Sequence, residues 1–571
     1  MRESLVLWAP AASVASVASF IGALPARRLV SFAAVLALAG CSLAPTYQRP
    51  ELPVPATLPA AAAASQASAG SGDAAAQGTA VDVAAVPWRE YFPDPRLQSL
   101  ICEALANNRD LRVAILNIES QRAAYQIQAA DRVPNVNASI SGTRQPSTVP
   151  PYALGTQVTG GLVIPSFEID LFGRVRSLTE AASAQVLASE EARRAAHISL
   201  VAAVANAYYT VWADRWQLAL AEQTLQTRQD SLKLSQLKYD NGVLNELDLR
   251  SSQSQVEAAR VARAQAQRQL AQDQQSLAVL VGKPVPAEWL PPAPQPLGKA
   301  AAAQAASPIA SQSASPAASD GRPERSNAPE QFVEASLWPG LSELPVGLSS
   351  EVLLQRPDVA QAEQTLISAN ANIGAARAAR FPRISLTGSA GAVSNSLSGL
   401  FDDGRFAWSF GGSLLAPIFD AGRTAAGVDA AVARRDIAIA QYDKAIQSAF
   451  KEVADALVAR QTYAEQAEAQ LAQAQAEAAR LSLSTLRYDT GVASQLDLLD
   501  AQRALFAAQQ AHIQAQLARQ QAHISVYKAL GGGWVEGGQG QQAPVQANGA
   551  TSVTGATGAA GANSAAEASA R

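Results

Sequence analysis

Apolar positions recur along this chain with two different periods. Over Leu97–Ala130, and again over Ser350–Ala379, they fall at helical spacing, with Pro357 the one proline inside the second stretch. Each stretch closes on a proline, in Arg132-Val133-Pro134 and in Arg380-Phe381-Pro382, which stops a helix. The period then becomes two. Phe406, Trp408, Phe410, Gly412 and Leu414 alternate with Ala407, Ser409 and Ser413. A loop interrupts each alternating stretch (Gln145–Gly155 and Asn395–Gly404), which predicts one hairpin of two strands in each half. Very long helices follow. Ser177–Tyr239 contains neither proline nor glycine, and Thr424–Tyr488 is interrupted by Gly427 alone. Leu218, Leu225, Leu232 and Tyr239 step by seven, as do Ala467, Ala474, Leu481 and Tyr488, a stride that predicts left-handed supercoiling.

The two halves are copies. Leu237-Lys238-Tyr239-Asp240-Asn241-Gly242-Val243 returns as Leu486-Arg487-Tyr488-Asp489-Thr490-Gly491-Val492, and Gly242 and Gly491 stand 249 positions apart. Arg174 and Arg423 keep that offset, as do Gly282 and Gly531, while Asp110 and Asp358 are 248 apart. A register held across so many landmarks is a duplication. Each copy reads as helix, strand hairpin, long helix, tight turn and returning helix, with the turns at Tyr239–Gly242 and Tyr488–Gly491 and a glycine just past each final helix end.

Strands of roughly ten residues are long enough to cross a membrane when tilted. Four of them leave open edges, which lipid does not tolerate, so the chain is expected to assemble with copies of itself. Two chains would supply eight strands and three would supply twelve.

The N-terminus adds an address. Arg27 and Arg28 precede the apolar run Leu29–Leu38, which ends in Ala39-Gly40-Cys41, a secretory signal peptide followed by a cysteine. Its placement resembles the bacterial lipoprotein processing box, which would make Cys41 the lipidated (palmitate-bearing) first residue of the mature chain. Ser42 in the next position permits outer-membrane sorting. The expected layout is a signal peptide over 1–40, a lipidated and partly disordered segment over 41–95, and a first repeat over 96–286. A linker with a low-complexity insert over 287–344, a second repeat over 345–534 and a disordered tail over 535–571 complete it. Residues 56–80, 298–330 and 537–571 are the low-complexity stretches.

Composition narrows the chemistry. The net charge of −4 gives no reason to expect nucleic acid, and two cysteines cannot form a disulfide framework. Cys102 lies in a helical apolar pattern and reads as a structural thiol. His197, His512 and His523 have no ligand-type neighbours, so no metal, cofactor or catalytic site is expected. No phosphate loop or nucleophile elbow appears, and the expected class is not an enzyme.

An ordered set of motifs resembles the TolC/OprM-like outer-membrane factor family, in its NodT-like lipoprotein branch. It comprises Trp88-Arg89-Glu90-Tyr91-Phe92 with Asp94 and Leu97, Ala106-Asn107-Asn108-Arg109-Asp110-Leu111, and Phe167–Arg174. Arg356-Pro357-Asp358, Leu498–Arg503 and Tyr527–Trp534 follow in order. The resemblance implies a mainly α fold with a membrane β part. In a homotrimer this becomes a twelve-stranded β-barrel continued by a twelve-helix α-barrel. It also implies a multidrug-type efflux duct in the outer membrane, docked on a periplasmic adaptor (membrane fusion protein) and an inner-membrane resistance–nodulation–division transporter. Matched by motif, Asp497 and Asp500 would supply gate carboxylates, Leu496 an apolar plug and Arg503 a latch. Asp248 holds the corresponding place in the first copy, and Tyr239 and Tyr488 match tip tyrosines. The pattern follows the OprM-like variant, since Ala493 stands where a latch arginine would be in the TolC-type pattern. Ser251 and Ser254 replace Asp500 and Arg503 in the first copy, so the second would carry most of a gate. The bland reading of these charges is a solvated helix face with i,i+3 pairing. Two alternatives are a duct for type I protein secretion and a lipid-anchored periplasmic coiled-coil scaffold without a pore; the scaffold would explain the long helices and Cys41 but not the two strand hairpins.

Overall fold

The structure, a computed structural model, describes residues 43–55, 86–146, 150, 152, 154–292, 294, 341, 350–401 and 406–532. The signal peptide, Cys41 and the three low-complexity stretches lie outside the described residues. The first copy runs α1 (Trp88–Tyr91), α2 (Pro95–Asn107), α3 (Arg109–Ala130), β1 (Asn137–Pro146), β2 (Leu154–Ile169), α4 (Arg174–Asp240) and α5 (Glu246–Val281). The second runs α6 (Pro357–Ala378), β3 (Arg383–Ser394), β4 (Phe406–Leu415), α7 (Arg423–Asp489) and α8 (Gln495–Ala529). The long helices α4 and α7 have 67 residues each, about 100 Å of helix.

Two boundaries differ from the sequence expectation. The stretch Leu97–Ala130 is two helices, because Asn108 takes an extended backbone and its side chain accepts from the Leu111 amide as an N-cap. Ser350–Gln355 is a 3₁₀ turn, and the helix proper opens at Pro357, whose missing amide suits the first helical position. The strands also reach further into the first loop than expected: Pro146 pairs with Leu154 and Gln145 with Gly155. Proline is tolerated there because Pro146 is the last residue of β1, at the loop end of the ladder.

The four strands form one antiparallel sheet in the order β1-β2-β3-β4. The junction between the copies is the β2–β3 pairing, where Gly161 faces Gly391; a Cβ on either would collide with the opposite backbone. One face of the sheet is apolar and exposed, with Ile140, Leu162, Phe406, Trp408, Phe410 and Leu414. The other carries hydroxyls that bond across the strands: Ser141 to Thr159, Ser385 to Ser413, and Ser389 to Ser409, each at 2.7 Å. No helix among the described residues is long and apolar enough to cross a membrane.

The main core lies at mid-height of the helical body. Trp88 and Tyr91 of α1, Phe92 just after it, and Leu97, Leu100 and Ile101 of α2 share one core cluster with Tyr208 of α4, Tyr442 of α7 and Tyr527 of α8. Tyr91 stacks on Tyr527 with ring centres 4.1 Å apart, and their hydroxyls donate to the carbonyls of His523 and Val86. Tyr208 donates to Asp94 at 2.6 Å, so the Trp88–Leu97 motif is a piece of girdle bound to both α4 and α8. Cys102 is half-buried at the edge of this cluster, with Arg89 donating to its sulfur. Nearer the tip, small residues form the seams. Ala474 of α7 packs on Ala508 of α8, and Leu225 of α4 packs on Val256 and Ala259 of α5. This matches the seven-residue stride, because alanine lets helix axes approach closely.

Asp214 of α4 is buried beside Asp273 of α5. Burial first, then the neighbouring Asp273, pushes its carboxyl up to about 7. An acid whose pKa is raised on folding contributes stability below its unfolded value and loses it as pH rises through the folded one. The fold is therefore expected to lose on the order of 4 kcal/mol between about pH 4 and pH 7 from this group. Asp214→Asn should flatten that part of the profile in thermal unfolding scans. An unchanged slope would mean that Asp214 ionises as readily in the fold as in the unfolded chain.

Candidate functional site

Two places in the fold have unfinished chemistry: the sides of the sheet-and-helix slab, and the far tip of the long helices. The sides follow from the duplication. Within the chain, α6 and β3 of the second copy pack against α4 and β2 of the first. Phe172 stacks on Phe381 at 4.7 Å, and Glu168 holds both Arg174 (2.7 Å) and Arg383 (3.3 Å). The first-copy elements α3 and β1, and the second-copy elements α7 and β4, present the matching surfaces at the slab's two sides, where β1 and β4 are the edge strands. Repeat-equivalent residues show the difference. Ala375 of α6 is 9 % exposed, whereas its counterpart Ile127 on α3 is 73 % exposed. Ala188 of α4 is buried and its counterpart Ile437 of α7 is exposed; Tyr209 and Val458 repeat the contrast. Ile418 and Phe419, just beyond β4, stand almost wholly in the open. Surfaces that fit each other but sit on opposite sides of one chain make a head-to-tail interface that propagates until it closes a ring.

The helix ends are clamped by a duplicated latch. Asn108 donates to the carbonyl of Leu280 near the end of α5 at 2.9 Å. Its counterpart Arg356 donates to the carbonyl of Ala529 at the end of α8 at 2.6 Å, and also grips Asp358 and Glu452, each at 2.7 Å. Burial opposes the charge of Arg356, but the two carboxylates outweigh it and hold its pKa above the ordinary value.

At the tip, both turns close on a left-handed glycine. Gly242 (φ +71°) and Gly491 (φ +74°) each donate to the carbonyl of the tyrosine three residues back, Tyr239 or Tyr488. Each returning helix then opens on the same device. Asn245 accepts from the Asp248 amide and donates to its carboxylate; Ser494 accepts from the Asp497 amide and returns two bonds to its carboxylate. The Ser494 bonds, side chain before backbone, and then Arg487 hold Asp497 below the ordinary carboxylate range. The leucine before each aspartate, Leu247 and Leu496, is exposed. Asp500 is exposed and reaches not along its own helix but across to Arg480 of α7, at 2.9 Å. Arg503 lies exposed on the next turn, close enough to Arg228 of α4 to act on it electrostatically.

The structure therefore places Asp248, Leu496, Asp497, Asp500 and Arg503 on the two adjacent tips, with both expected aspartates engaged in local bonds. Sequence reasoning missed what ties the tips together. Gln495 is buried, and its amide donates to Ser252 at 2.7 Å and to the carbonyl of Asp248 at 3.2 Å. Lys238 of the first turn sits 4.8 Å from the ring centre of Tyr488 of the second. Nothing in the sequence around Gln495 marks this tie, because its partner lies 243 positions away.

Comparison with known proteins agrees with this architecture. The chain is 42% identical over 516 residues to the antibiotic efflux pump outer membrane protein ArpC of Pseudomonas putida, covering 89% of this chain and 96% of that one. The same figures hold for the toluene efflux pump outer membrane protein TtgC, also of Pseudomonas putida. The solved open state of the Neisseria gonorrhoeae MtrE outer membrane channel superposes with a TM-score of 0.69 at 36% identity, over 86% of this chain and 99% of that one. The sequence model of the outer membrane efflux protein family matches residues 100–283 and 348–532, one segment in each copy. The chain belongs to the outer membrane efflux protein family, as the outer-membrane channel component of an efflux pump.

Proposed function

We propose that three copies close head to tail into a passive exit duct, a twelve-stranded barrel in the outer membrane continued by a twelve-helix tunnel through the periplasm. The observation that carries this reading is the four-stranded sheet with two open edges and an exposed aromatic face. Lipid tolerates neither edge, and three sheets make a barrel wide enough for a lumen, which the hydroxyl-bearing face would line. In this reading the duct stands on a periplasmic adaptor and an inner-membrane resistance–nodulation–division transporter. That transporter supplies both energy and choice of cargo, small molecules such as drugs, and the duct itself performs no catalysis.

Cys41 would carry the lipid. The segment that follows it supports that role, because it is strapped along α6 toward the sheet. Arg377, in the last turn of α6, donates to the carbonyl of Leu43, and Asn370 donates to that of Pro45 at 2.7 Å. Arg49 forks onto Glu363, which Tyr47 also reaches. A lipid two residues before Leu43 would sit at the level where the barrel begins.

The tip would be the gate. Leu247 and Leu496 from three chains would form the apolar constriction, and Asp248, Asp497 and Asp500 the carboxylate rings, which favour cations. Arg480 pairs with Asp500 at 2.9 Å and would compete with the ring for it. Asp497→Ala combined with Asp500→Ala should raise single-channel conductance severalfold in planar bilayers and weaken cation selectivity. Conductance and selectivity both equal to those of the parent would remove these residues from the gate.

A further inference from the structure

Above the tip, α4, α7 and α8 enclose a cleft of about 270 Å³. Its wall is mixed: Arg228, Gln502 and Gln509 are polar, Leu505 and Phe506 apolar, and no carboxylate lines it. Arg228 is the anomaly. It is 7 % exposed, and its guanidinium lies 5.7 Å from the centre of the Phe506 ring, against the cleft. One terminal nitrogen donates to the carbonyl of Gln255 at 3.1 Å, but Nε is buried with no acceptor. Burial, and then the like charge of Arg503, lowers the pKa of Arg228 from its ordinary value; an arginine nevertheless stays cationic in a protein. Buried guanidinium groups are almost always paired, and a buried donor without an acceptor costs free energy. Here the two cations strengthen each other's demand for an anion, and none of the residues around the cleft supplies one.

We propose that this cleft is a binding site for a small amphiphilic oxyanion of the aryl carboxylate class. The carboxylate would take Arg228 at Nη2, since Nη1 is held by Gln255 and Nε is closed off from the cleft, with Arg503 adding long-range attraction. The Gln502 and Gln509 amides can donate to the remaining lone pairs, and Phe506 with Leu505 would cover the ring. The inference rests on the packing of α4, α7 and α8 within one chain, so it does not depend on the pore or on the gate.

The test uses the intact protein purified in detergent, titrated calorimetrically with sodium benzoate, with neutral benzamide and with inorganic phosphate. Benzoate should bind saturably, once per chain, and benzamide at least about tenfold more weakly because it lacks the charge. Phosphate should bind more weakly than benzoate, since it leaves the apolar wall uncovered. Arg228→Gln should weaken benzoate about tenfold with helical content unchanged. If Arg228→Gln does not fold, Arg503→Gln serves in its place, because that residue is exposed, and should weaken benzoate severalfold. Equal affinity for benzoate and benzamide, or no saturable heat with benzoate, would overturn the proposal. Phosphate binding as tightly as benzoate would overturn the aryl assignment.

Discussion

Chains carrying both Ile127→Asp and Ile437→Asp are expected to fold and yet fail to assemble. The reason is the contrast between repeat-equivalent positions. Ala375 and Ala188 are covered because the two copies pack on each other inside the chain; in the proposed ring their bare counterparts Ile127 and Ile437 would be covered by the neighbouring chains. Each isoleucine buried at such a contact contributes about 2 kcal/mol, and a closed ring repeats every contact. An aspartate there would have to be buried without a partner, which adds a further penalty. Neither position touches the core of the single chain, so far-ultraviolet circular dichroism should be unchanged. The measurement is the heat-sensitive slow band on detergent gels, or mass by light scattering. An undiminished oligomer would show that these faces are not the contact.

The second large effect is expected at Arg356. Removing it as Arg356→Leu takes away the partner of Asp358 and Glu452 and the donor to the carbonyl of Ala529 at one stroke. Asp358 and Glu452 are 44 % and 58 % exposed, so water recovers part of the loss. About 2–3 kcal/mol remains, below the full figure for breaking a buried pair. The matching change in the first copy, Asn108→Ala, removes a neutral bond and a cap and should cost about 1 kcal/mol. Arg356→Lys should recover only part of the loss, because an ammonium cannot span two carboxylates and a carbonyl as a guanidinium does. Unfolding of the assembled protein in guanidinium would rank the three variants. Equal midpoints for Arg356→Leu and Asn108→Ala would overturn the account of why the two latches differ.

The architecture was legible in the sequence because its signals are long. A 67-residue helix without a breaker, and a register kept over 249 positions, survive local ambiguity. The hairpins were legible through alternation, since Phe406, Trp408 and Phe410 share one face and the serines the other. What stayed hidden depends on partners that arrive from far along the chain. Asn108 reads as one more polar residue in a helix until the end of α5, 172 residues later, takes its amide. Gln495 meets Ser252 across 243 positions. Asp500 looks paired with Arg503 by spacing, but Arg480 comes to it from the neighbouring helix. Spacing along one helix says which side chains share a face; it does not say which face another helix will cover.

The equal lengths of α4 and α7 have a further consequence. With 67 residues in each, both turns come together, Gln495 meeting Ser252 and Lys238 meeting Tyr488, and small-residue seams lie on the way to them. Such a body is a ruler with a fixed graduation. Removing one heptad from each of the four tip-forming helices would keep every seam in register and shorten the reach by about 10 Å. Removing it from one copy alone would leave the two turns at different heights and separate Gln495 from Ser252. Change in this fold is therefore constrained to come in matched sevens, and the distance it spans is written twice in the same chain.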